Sequence, residues 1–362
     1  MDINNLLKNA VNLGASDLHI SVGFPPIMRI DGLLKKTDAP ALTKDDIESM
    51  INDVLTVEQK KLLKENKEID LAYEISKVGR FRTNIFYEMK GIAAAFRIIP
   101  QKIMTLEEMD APDGVYKLVN KKKGLVLVTG PTGSGKSTTL AAIINYINHQ
   151  RKEHIITIED PIEYVHNGMN CLINQREIGA HSHSFAEALR SALREDPDVI
   201  LVGEMRDLET IALAVTAAET GHLVLATLHT SSAPETVDRV IDVFSSDQQN
   251  QIRAVLSNSI EGVIAQKLVP KRTGKGRIAV MEIMIATPAI RNIIRERKTH
   301  QINTAIQTST DSGMQSMDQS LMSFLNNGHI DLKIAKEYAI EKKPFEMWKG
   351  TTRDILHKSM DL

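Results

Sequence analysis

Cysteine is nearly absent from this sequence of 362 residues, in which Cys171 is the single one. A lone cysteine excludes an intrachain disulfide framework and a four-cysteine zinc site, and it is typical of a reducing compartment. Aromatic residues are also scarce, at 4%, and the formal net charge is only -2. A nucleic-acid binder needs a basic surface or a stacking platform, so we expect no nucleic-acid partner.

Long apolar runs are lacking as well. The longest apolar region, 211–228, is interrupted by Glu219, Thr220 and His222 and is not expected to span a membrane. The first 15 residues are polar and amphipathic, so no secretory signal is predicted. These features predict a cytoplasmic protein.

The pattern of residues changes along the chain and predicts two domains. Residues 1–100 are typical of a small α+β domain, with a helix capped by Thr43 and a strand hairpin that turns near Lys90. Residues 101–118 lose periodicity and are predicted to be a linker. Residues 119–362 are predicted to form an α/β domain.

Four short apolar runs mark the second domain, at 125–128, 155–158, 199–202 and 223–228. Runs that are apolar on both faces and alternate with helical patterns predict a mainly parallel sheet that is covered on both sides. Ligands of such sheets bind beyond the carboxyl ends of the strands. We therefore expect a ligand site where these runs end.

A glycine-rich segment follows the first run and matches the phosphate-binding loop pattern. Its glycines let backbone N–H groups face a β-phosphate, Lys136 neutralises the β and γ oxygens, and the Ser137 hydroxyl ligates Mg²⁺. A helix that begins near Lys136 adds its positive dipole. The candidate nucleotide-binding residues are Gly130, Pro131, Thr132, Gly133, Ser134, Gly135, Lys136, Ser137 and Thr138.

Acidic residues and histidines follow the other runs. Glu204 comes after 199–202, where a carboxylate close to the metal belongs, and Glu163 closes an acidic segment after 155–158. Either segment alone is consistent with a solvated loop, but together, beside a phosphate loop, they predict a hydrolytic site. His222 and His229 flank the last run; a histidine at a strand end can position a γ-phosphate, and a packed, hydrogen-bonded histidine is the alternative.

Two arginines of the first domain form a further candidate site. If Met89 and Lys90 are the hairpin loop, Arg82 and Arg97 are cross-strand partners. Like charges directly opposite are destabilising unless an anion lies between them, and a phosphate would serve. We interpret them as arginine fingers for the nucleotide of a neighbouring subunit, with a solvated basic strand face as the alternative.

Together these segments resemble the secretion ATPase superfamily, which drives type II secretion and type IV pili. The resemblance covers residues 1 to about 340, and 188–207 is similar to the pilus retraction ATPases within the superfamily. Assembly and type II secretion members usually carry a four-cysteine metal site and a longer amino-terminal region, which this sequence does not match. An assembly or accessory motor of the superfamily and a RecA-like nucleic-acid motor stay open as alternatives.

The resemblance implies a PAS-like first domain and a RecA-like P-loop ATPase domain with a C-terminal helical region. It implies ATP and Mg²⁺ as cofactors, a homo-hexameric ring, pilus retraction, and a pilus platform protein as partner at the inner face of the cytoplasmic membrane. The site residues that it implies are catalytic Lys136, Glu163, Glu204 and His229, nucleotide-contacting Arg82, Arg97 and His222, and metal-binding Ser137 and Glu204.

A helix signature also lies beyond these motifs, with Thr287 as cap and Pro288 at the first helical position. Its polar face carries Arg291 and Arg295. The face is either a solvated helix surface or one that transmits force. On the second interpretation, removing both arginines is expected to leave folding, ring formation and most ATPase activity in place while abolishing pilus retraction.

Overall fold

The computed structural model of this chain describes residues 2–30, 32–99, 102–348 and 350. The chain divides into two compact units, Met1–Lys102 and Ile103–Leu362. Residues 1, 31 and 100 of the predicted first domain, residue 101 of the predicted linker, and residues 349 and 351–362 of the predicted second domain lie outside the described residues.

Unit 1 is built on a six-stranded sheet in the order β3-β2-β1-β6-β5-β4, in which every neighbouring pair is antiparallel. Its strands are β1 (Asp17–Ile20), β2 (Ile27–Ile30), β3 (Leu33–Lys36), β4 (Glu68–Ile75), β5 (Gly79–Glu88) and β6 (Gly91–Ile98). Its helices are α1 (Ile3–Asn12), α2 (Lys44–Val54) and α3 (Val57–Asn66).

The start of α2 shows how local sequence positions a helix in unit 1. The Thr43 hydroxyl accepts a hydrogen bond from the Asp46 N–H, and the Asp46 carboxylate accepts one from the Thr43 N–H. This reciprocal capping box satisfies two N–H groups that an unpaired helix end would leave free. The predicted Thr43 cap is confirmed, and Ile47, Met50 and Ile51 on one stripe of the helix are buried.

The predicted hairpin of β5 and β6 is confirmed, and Arg82 lies opposite Arg97 in its register. On the other side of β6, Asp17 lies opposite Arg97, and its carboxylate accepts a hydrogen bond from Arg97 Nε at 3.0 Å. Arg97 therefore has a carboxylate partner in its own sheet, on the side away from Arg82, and the contact of Arg82 and Arg97 with a nucleotide stays a prediction. Asp17 also lies 3.8 Å from Arg29 Nε.

Unit 2 is built on a seven-stranded sheet in the order β13-β12-β7-β11-β10-β8-β9. All neighbouring strands are parallel except β13, which is antiparallel to β12, so the predicted mainly parallel sheet is confirmed. The strands are β7 (Gly124–Thr129), β8 (His154–Glu159), β9 (Leu172–Glu177), β10 (Val199–Val202), β11 (Leu223–Leu228), β12 (Ile260–Pro270) and β13 (Arg277–Ile285).

Helices connect and cover these strands. They are α4 (Asp113–Val119), α5 (Lys136–Gln150), α6 (Phe185–Ala192), α7 (Leu208–Glu219), α8 (Ala233–Asp242), α9 (Gln249–Ser259), α10 (Pro288–Arg295), α11 (Ile302–Thr308), α12 (Met317–Asn326), α13 (Leu332–Tyr338) and α14 (Lys343–Glu346). Across the described residues, none of the helices has the length and apolar character needed to cross a membrane.

Each face of the large sheet carries its own apolar core. Alternate residues of a strand point to opposite faces, so Leu125 and Leu127 pack with α6, α7 and α8, while Val126 and Val128 pack with α4 and α5. All four are fully buried. The runs are apolar throughout because both faces are covered.

Part of the predicted linker over 101–118 is folded into unit 2. Helix α4 occupies its last third, and Leu106, Val115 and Leu118 are buried in the core that also holds α5. Pro112 precedes the helix as its N-cap. The irregular sequence reflects a short helix packed against strands, and helices of this length carry little periodicity of their own.

Arg291 on α10 holds the end of a neighbouring helix. Its guanidinium donates to the Ser257 and Asn258 carbonyls in the last turn of α9, at 3.0 and 2.7 Å, and to Glu261 Oε1 at 2.7 Å. The last carbonyls of a helix have no partner within the helix, and a cation near them interacts favourably with the negative end of the helix dipole. Arg291 is therefore a structural residue. Its sequence pattern indicates instead a solvated or force-transmitting helix surface.

We expect Arg291→Ala to lower the free energy of unfolding by about 1–3 kcal/mol, because it removes charge-assisted hydrogen bonds and leaves half-buried acceptors unpaired. Arg295→Ala is the matched control, since Arg295 is exposed and, among the described residues, donates a hydrogen bond to the Asn258 side chain only. Thermal unfolding of both variants checks this expectation. Equal melting temperatures for the two would contradict the structural role.

Candidate nucleotide-binding site

The phosphate loop lies between the carboxyl end of β7 and the first turn of α5. Gly130, Gly133 and Gly135 have φ values of 147°, 78° and 89°, which residues with a Cβ rarely adopt. A Cβ at Gly130 would lie 2.4 Å from the Gln266 carbonyl oxygen. The backbone conformation thus favours glycine at all three positions, and the close approach of β12 also requires it at Gly130.

Lys136 stands at the start of α5 with its ammonium folded back over the loop. Nζ donates to the Gly130 carbonyl at 2.8 Å and to the Pro131 carbonyl at 3.3 Å. Burial lowers the pKa of Lys136, although the charges of Glu204 and Glu163 act in the opposite direction. The lysine is therefore a partly desolvated cation between the loop and the acidic side of the site.

These groups surround a cavity of about 390 Å³ at the carboxyl ends of the parallel strands. Its volume is within the range that small-molecule sites occupy. The sequence-predicted residues that line it are Thr132, Gly133, Gly135, Lys136, Ser137, Thr138, Glu163, Glu204 and His229. The structure therefore brings together the loop, both acidic segments and one of the two histidines.

Glu204 follows β10 and has two partners on opposite sides. Its carboxylate accepts a hydrogen bond from Arg206 at 2.6 Å, and His229 Nε2 lies 2.8 Å away. Burial favours the neutral acid, but Arg206 and His229 outweigh it and hold the pKa of Glu204 below its usual value. Glu204 is thus a fixed carboxylate anion beside the phosphate loop.

Glu159, the last residue of β8, differs from Glu204 in its environment. Its Oε1 accepts from the Thr157 hydroxyl at 2.6 Å and from Gln175 Nε2 at 3.2 Å. Burial raises the pKa of Glu159 in spite of these bonds. Two carboxylates of one cavity with opposite pKa shifts are a pattern typical of functional sites. Glu163 also lines the cavity and is exposed.

His222 does not lie in this cavity, and its expected place near the γ-phosphate is corrected for this chain. It precedes β11, whereas His229 follows it. Six extended residues separate the two histidines by about 20 Å, so they lie at opposite ends of β11. His222 Nδ1 instead donates to the Ala217 carbonyl at 2.9 Å.

Other residues of the cavity were not among the sequence candidates. The Tyr164 hydroxyl lies 3.0 Å from the Thr138 hydroxyl, and His166 lines the same wall. Both residues follow the acidic segment after β8. The sequence signal that could have identified them as cavity residues is this position after the end of a strand. His166 Nδ1 is buried and has no hydrogen-bond partner among the described residues.

The residues present fit a magnesium nucleotide. Mg²⁺ takes oxygen ligands and is commonly held by one or two protein groups, the substrate phosphates and waters. The Ser137 hydroxyl and the Glu204 carboxylate, both on the cavity wall, are such oxygen donors. Within the described part of the chain no three His, Cys, Asp or Glu residues form a metal-binding group, so the site has no full cage of protein ligands.

The model of the type II/IV secretion system protein family matches residues 1–334. The chain belongs to this family. It is an ATPase of the type II/IV secretion system family, with the phosphate loop, Glu204 and His229 in one cavity.

Individual relatives extend this finding. The chain is 51% identical to the type IV pilus retraction ATPase PilT of Pseudomonas aeruginosa over 94% of this chain and 98% of that protein. It is 52% identical to a twitching motility protein of Neisseria gonorrhoeae over 87% of this chain and 84% of that protein. A crystal structure of the pilus retraction motor PilT with bound ADP superposes with a TM-score of 0.90 at 47% identity, covering 96% of this chain and 100% of that chain.

We expect the stability of this family member to depend on His166 at acid pH. Burial lowers the pKa of His166 from 6.5 to about 4. The unfolded chain therefore binds more protons between these two values, and the free energy of unfolding falls as the pH drops from about 6.5 to about 4, by about 3 kcal/mol in total.

The variant His166→Gln should lose this part of the pH dependence, because it has no imidazole to protonate. His183→Gln, which changes an exposed histidine, is the control. Urea unfolding at several pH values between 4 and 7 measures the effect. A slope for His166→Gln that equals the wild-type slope would contradict a buried, neutral His166.

Proposed function

We propose that this chain is a retraction motor of the type IV pilus, in which Mg²⁺-dependent hydrolysis of ATP powers withdrawal of the pilus. The observation that carries the proposal is a complete phosphate site in a chain that matches PilT along almost the whole length of both proteins. Similarity limited to the phosphate site would support only nucleotide binding.

The residues of the cavity supply separate parts of this reaction. Lys136 neutralises phosphate oxygens, and the loop N–H groups orient them. Ser137 and Glu204 would hold Mg²⁺, and the ion would supply positive charge that neutralises the phosphate oxygens. Glu163, exposed on the cavity wall, polarises the attacking water, and His229 stays within reach of the γ-phosphate while it orients Glu204. Catalysis is then mainly positioning and charge stabilisation.

The motor is proposed to be a homo-hexameric ring in which unit 1 of one subunit packs on unit 2 of the next. Arg82 and Arg97 would then reach the nucleotide of the neighbour. Asp17 accepts a hydrogen bond from Arg97 Nε and so orients the guanidinium group, while 69% of the Arg97 side chain stays exposed. Arg82 opposite it is exposed. Two adjacent, exposed guanidinium groups on a rigid sheet suit an incoming phosphate.

The ring is proposed to work in the cytoplasm, at the inner face of the cytoplasmic membrane, against a pilus platform protein. The near-neutral charge balance and the low aromatic content support a protein partner rather than a nucleic acid.

We expect Lys136→Ala and Glu204→Gln to separate binding from chemistry. Lys136→Ala removes the cation of the phosphate cradle and should abolish nucleotide binding or hydrolysis. Glu204→Gln leaves the cradle intact and should keep ADP affinity within a few-fold while slowing turnover by about 100-fold or more. Calorimetry with ADP and steady-state phosphate release measure the two effects. Equal loss of affinity in both variants would refute the assigned roles.

The same Lys136→Ala variant tests retraction in cells. It should abolish twitching motility while surface pili remain, because assembly continues without withdrawal. Cells that lose their surface pili instead would indicate an assembly motor. Electron microscopy of the purified protein shows whether it forms a ring.

We expect Arg82→Ala and Arg97→Ala to act in trans. Each variant alone should hydrolyse ATP slowly. Mixing either with Lys136→Ala subunits should restore part of the activity, since an intact arginine of one chain completes an intact phosphate site of another. Mixed rings are verified by co-purification through two different tags. Verified mixed rings that gain no activity would refute the shared site.

A further inference from the structure

Gln266 is a buried polar residue beside the phosphate loop that the proposed mechanism does not use. Only 1% of it is exposed. The paired register of β7 and β12 ends at Thr129 and Ala265, so Gln266 stands next to Gly130, the first residue of the loop. The Cβ that Gly130 lacks would collide with the Gln266 carbonyl, which shows how closely the two backbones approach.

The Gln266 side chain bridges the loop and the helix that follows it. Nε2 donates to the Ser134 carbonyl at 2.7 Å, and Oε1 accepts from the Thr139 hydroxyl at 2.8 Å. A carbonyl can only accept, so the amide nitrogen must face Ser134, and the Thr139 hydroxyl must then donate. Both bonds are buried, where a missing partner is costly.

The bond to Ser134 has a consequence on the opposite side of the loop. The C=O of Ser134 and the N–H of Gly135 belong to one planar trans peptide and point in opposite directions. Gln266 holds the Ser134 C=O toward β12, and the Gly135 N–H therefore points away from β12. Gly135 is one of the residues that line the cavity. The Ser134 hydroxyl is buried without a partner among the described residues and offers no alternative anchor.

We infer that Gln266 is a positioning residue of the nucleotide site, which holds the Ser134–Gly135 peptide so that its N–H faces the phosphates. It touches neither substrate nor metal and acts through the loop. The inference rests on the proposed function, since it requires that the loop bind a nucleotide.

The test compares ADP affinity with thermal stability in the full chain. Gln266→Met keeps the length of the side chain and removes both hydrogen bonds, and it should raise the Kd for ADP by about tenfold. Thr139→Val should raise the Kd in the same direction, and Thr139→Ser, which keeps the hydroxyl, should restore it. Ser320→Ala is the matched control, because it removes the hydroxyl that accepts a buried hydrogen bond from the Met281 N–H on β13, away from the loop.

The two measurements together separate positioning from general stability. The inference is supported if Gln266→Met binds ADP at least fivefold more weakly than Ser320→Ala at a temperature where both are folded. It is overturned if Gln266→Met binds ADP within twofold of the wild type. If Gln266→Met does not fold, the Thr139→Val and Thr139→Ser pair decides by the same criterion. A wild-type chain that binds no ADP would instead overturn the proposed function itself.

Discussion

The parallel alignment of four central strands is the constraint on which the site depends. β7, β11, β10 and β8 are hydrogen-bonded neighbours, with Leu228 opposite Thr129 and Val202 opposite both Ala226 and Ile158. Their carboxyl ends therefore lie together on the same side of the sheet. The phosphate loop, His229, Glu204 and the acidic segment each begin where one of these strands ends, so a few ångströms of slip in the ladder would separate them.

Charge within the cavity follows from this alignment. Four acidic residues line the cavity, Glu159, Asp160 and Glu163 at the end of β8 and Glu204 after β10, and their environments differ. Glu204 is kept ionised by Arg206 and His229, whereas burial favours the protonated form of Glu159. The same cavity thus holds the ionised carboxylate of Glu204, the more easily protonated carboxyl group of Glu159, and the cation of Lys136. Opposite pKa shifts of neighbouring carboxylates are typical of functional sites.

Much of the fold could be read from local patterns. Residues next to each other in sequence set a helix cap, a turn or a two-faced apolar strand, so the Thr43 cap, the β5–β6 register and the parallel sheet were predicted correctly. Helix α4 was not, because it is too short to show periodicity and is stabilised by tertiary contacts. The same holds for Arg291, whose partners Ser257 and Asn258 on α9 lie 34 and 33 residues earlier.

For the site, the sequence alone determined the phosphate loop and the residue types that follow each strand, since loop, strand and helix are consecutive and their chemistry is local. Only the tertiary structure decided which of these residues meet. The direction of β11 separates His222 from His229, and strand order brings Asp17 to Arg97 across 80 residues and Gln266 to Ser134 across 132. Strand order and direction arise from burying apolar faces over the whole chain, and no local pattern encodes them.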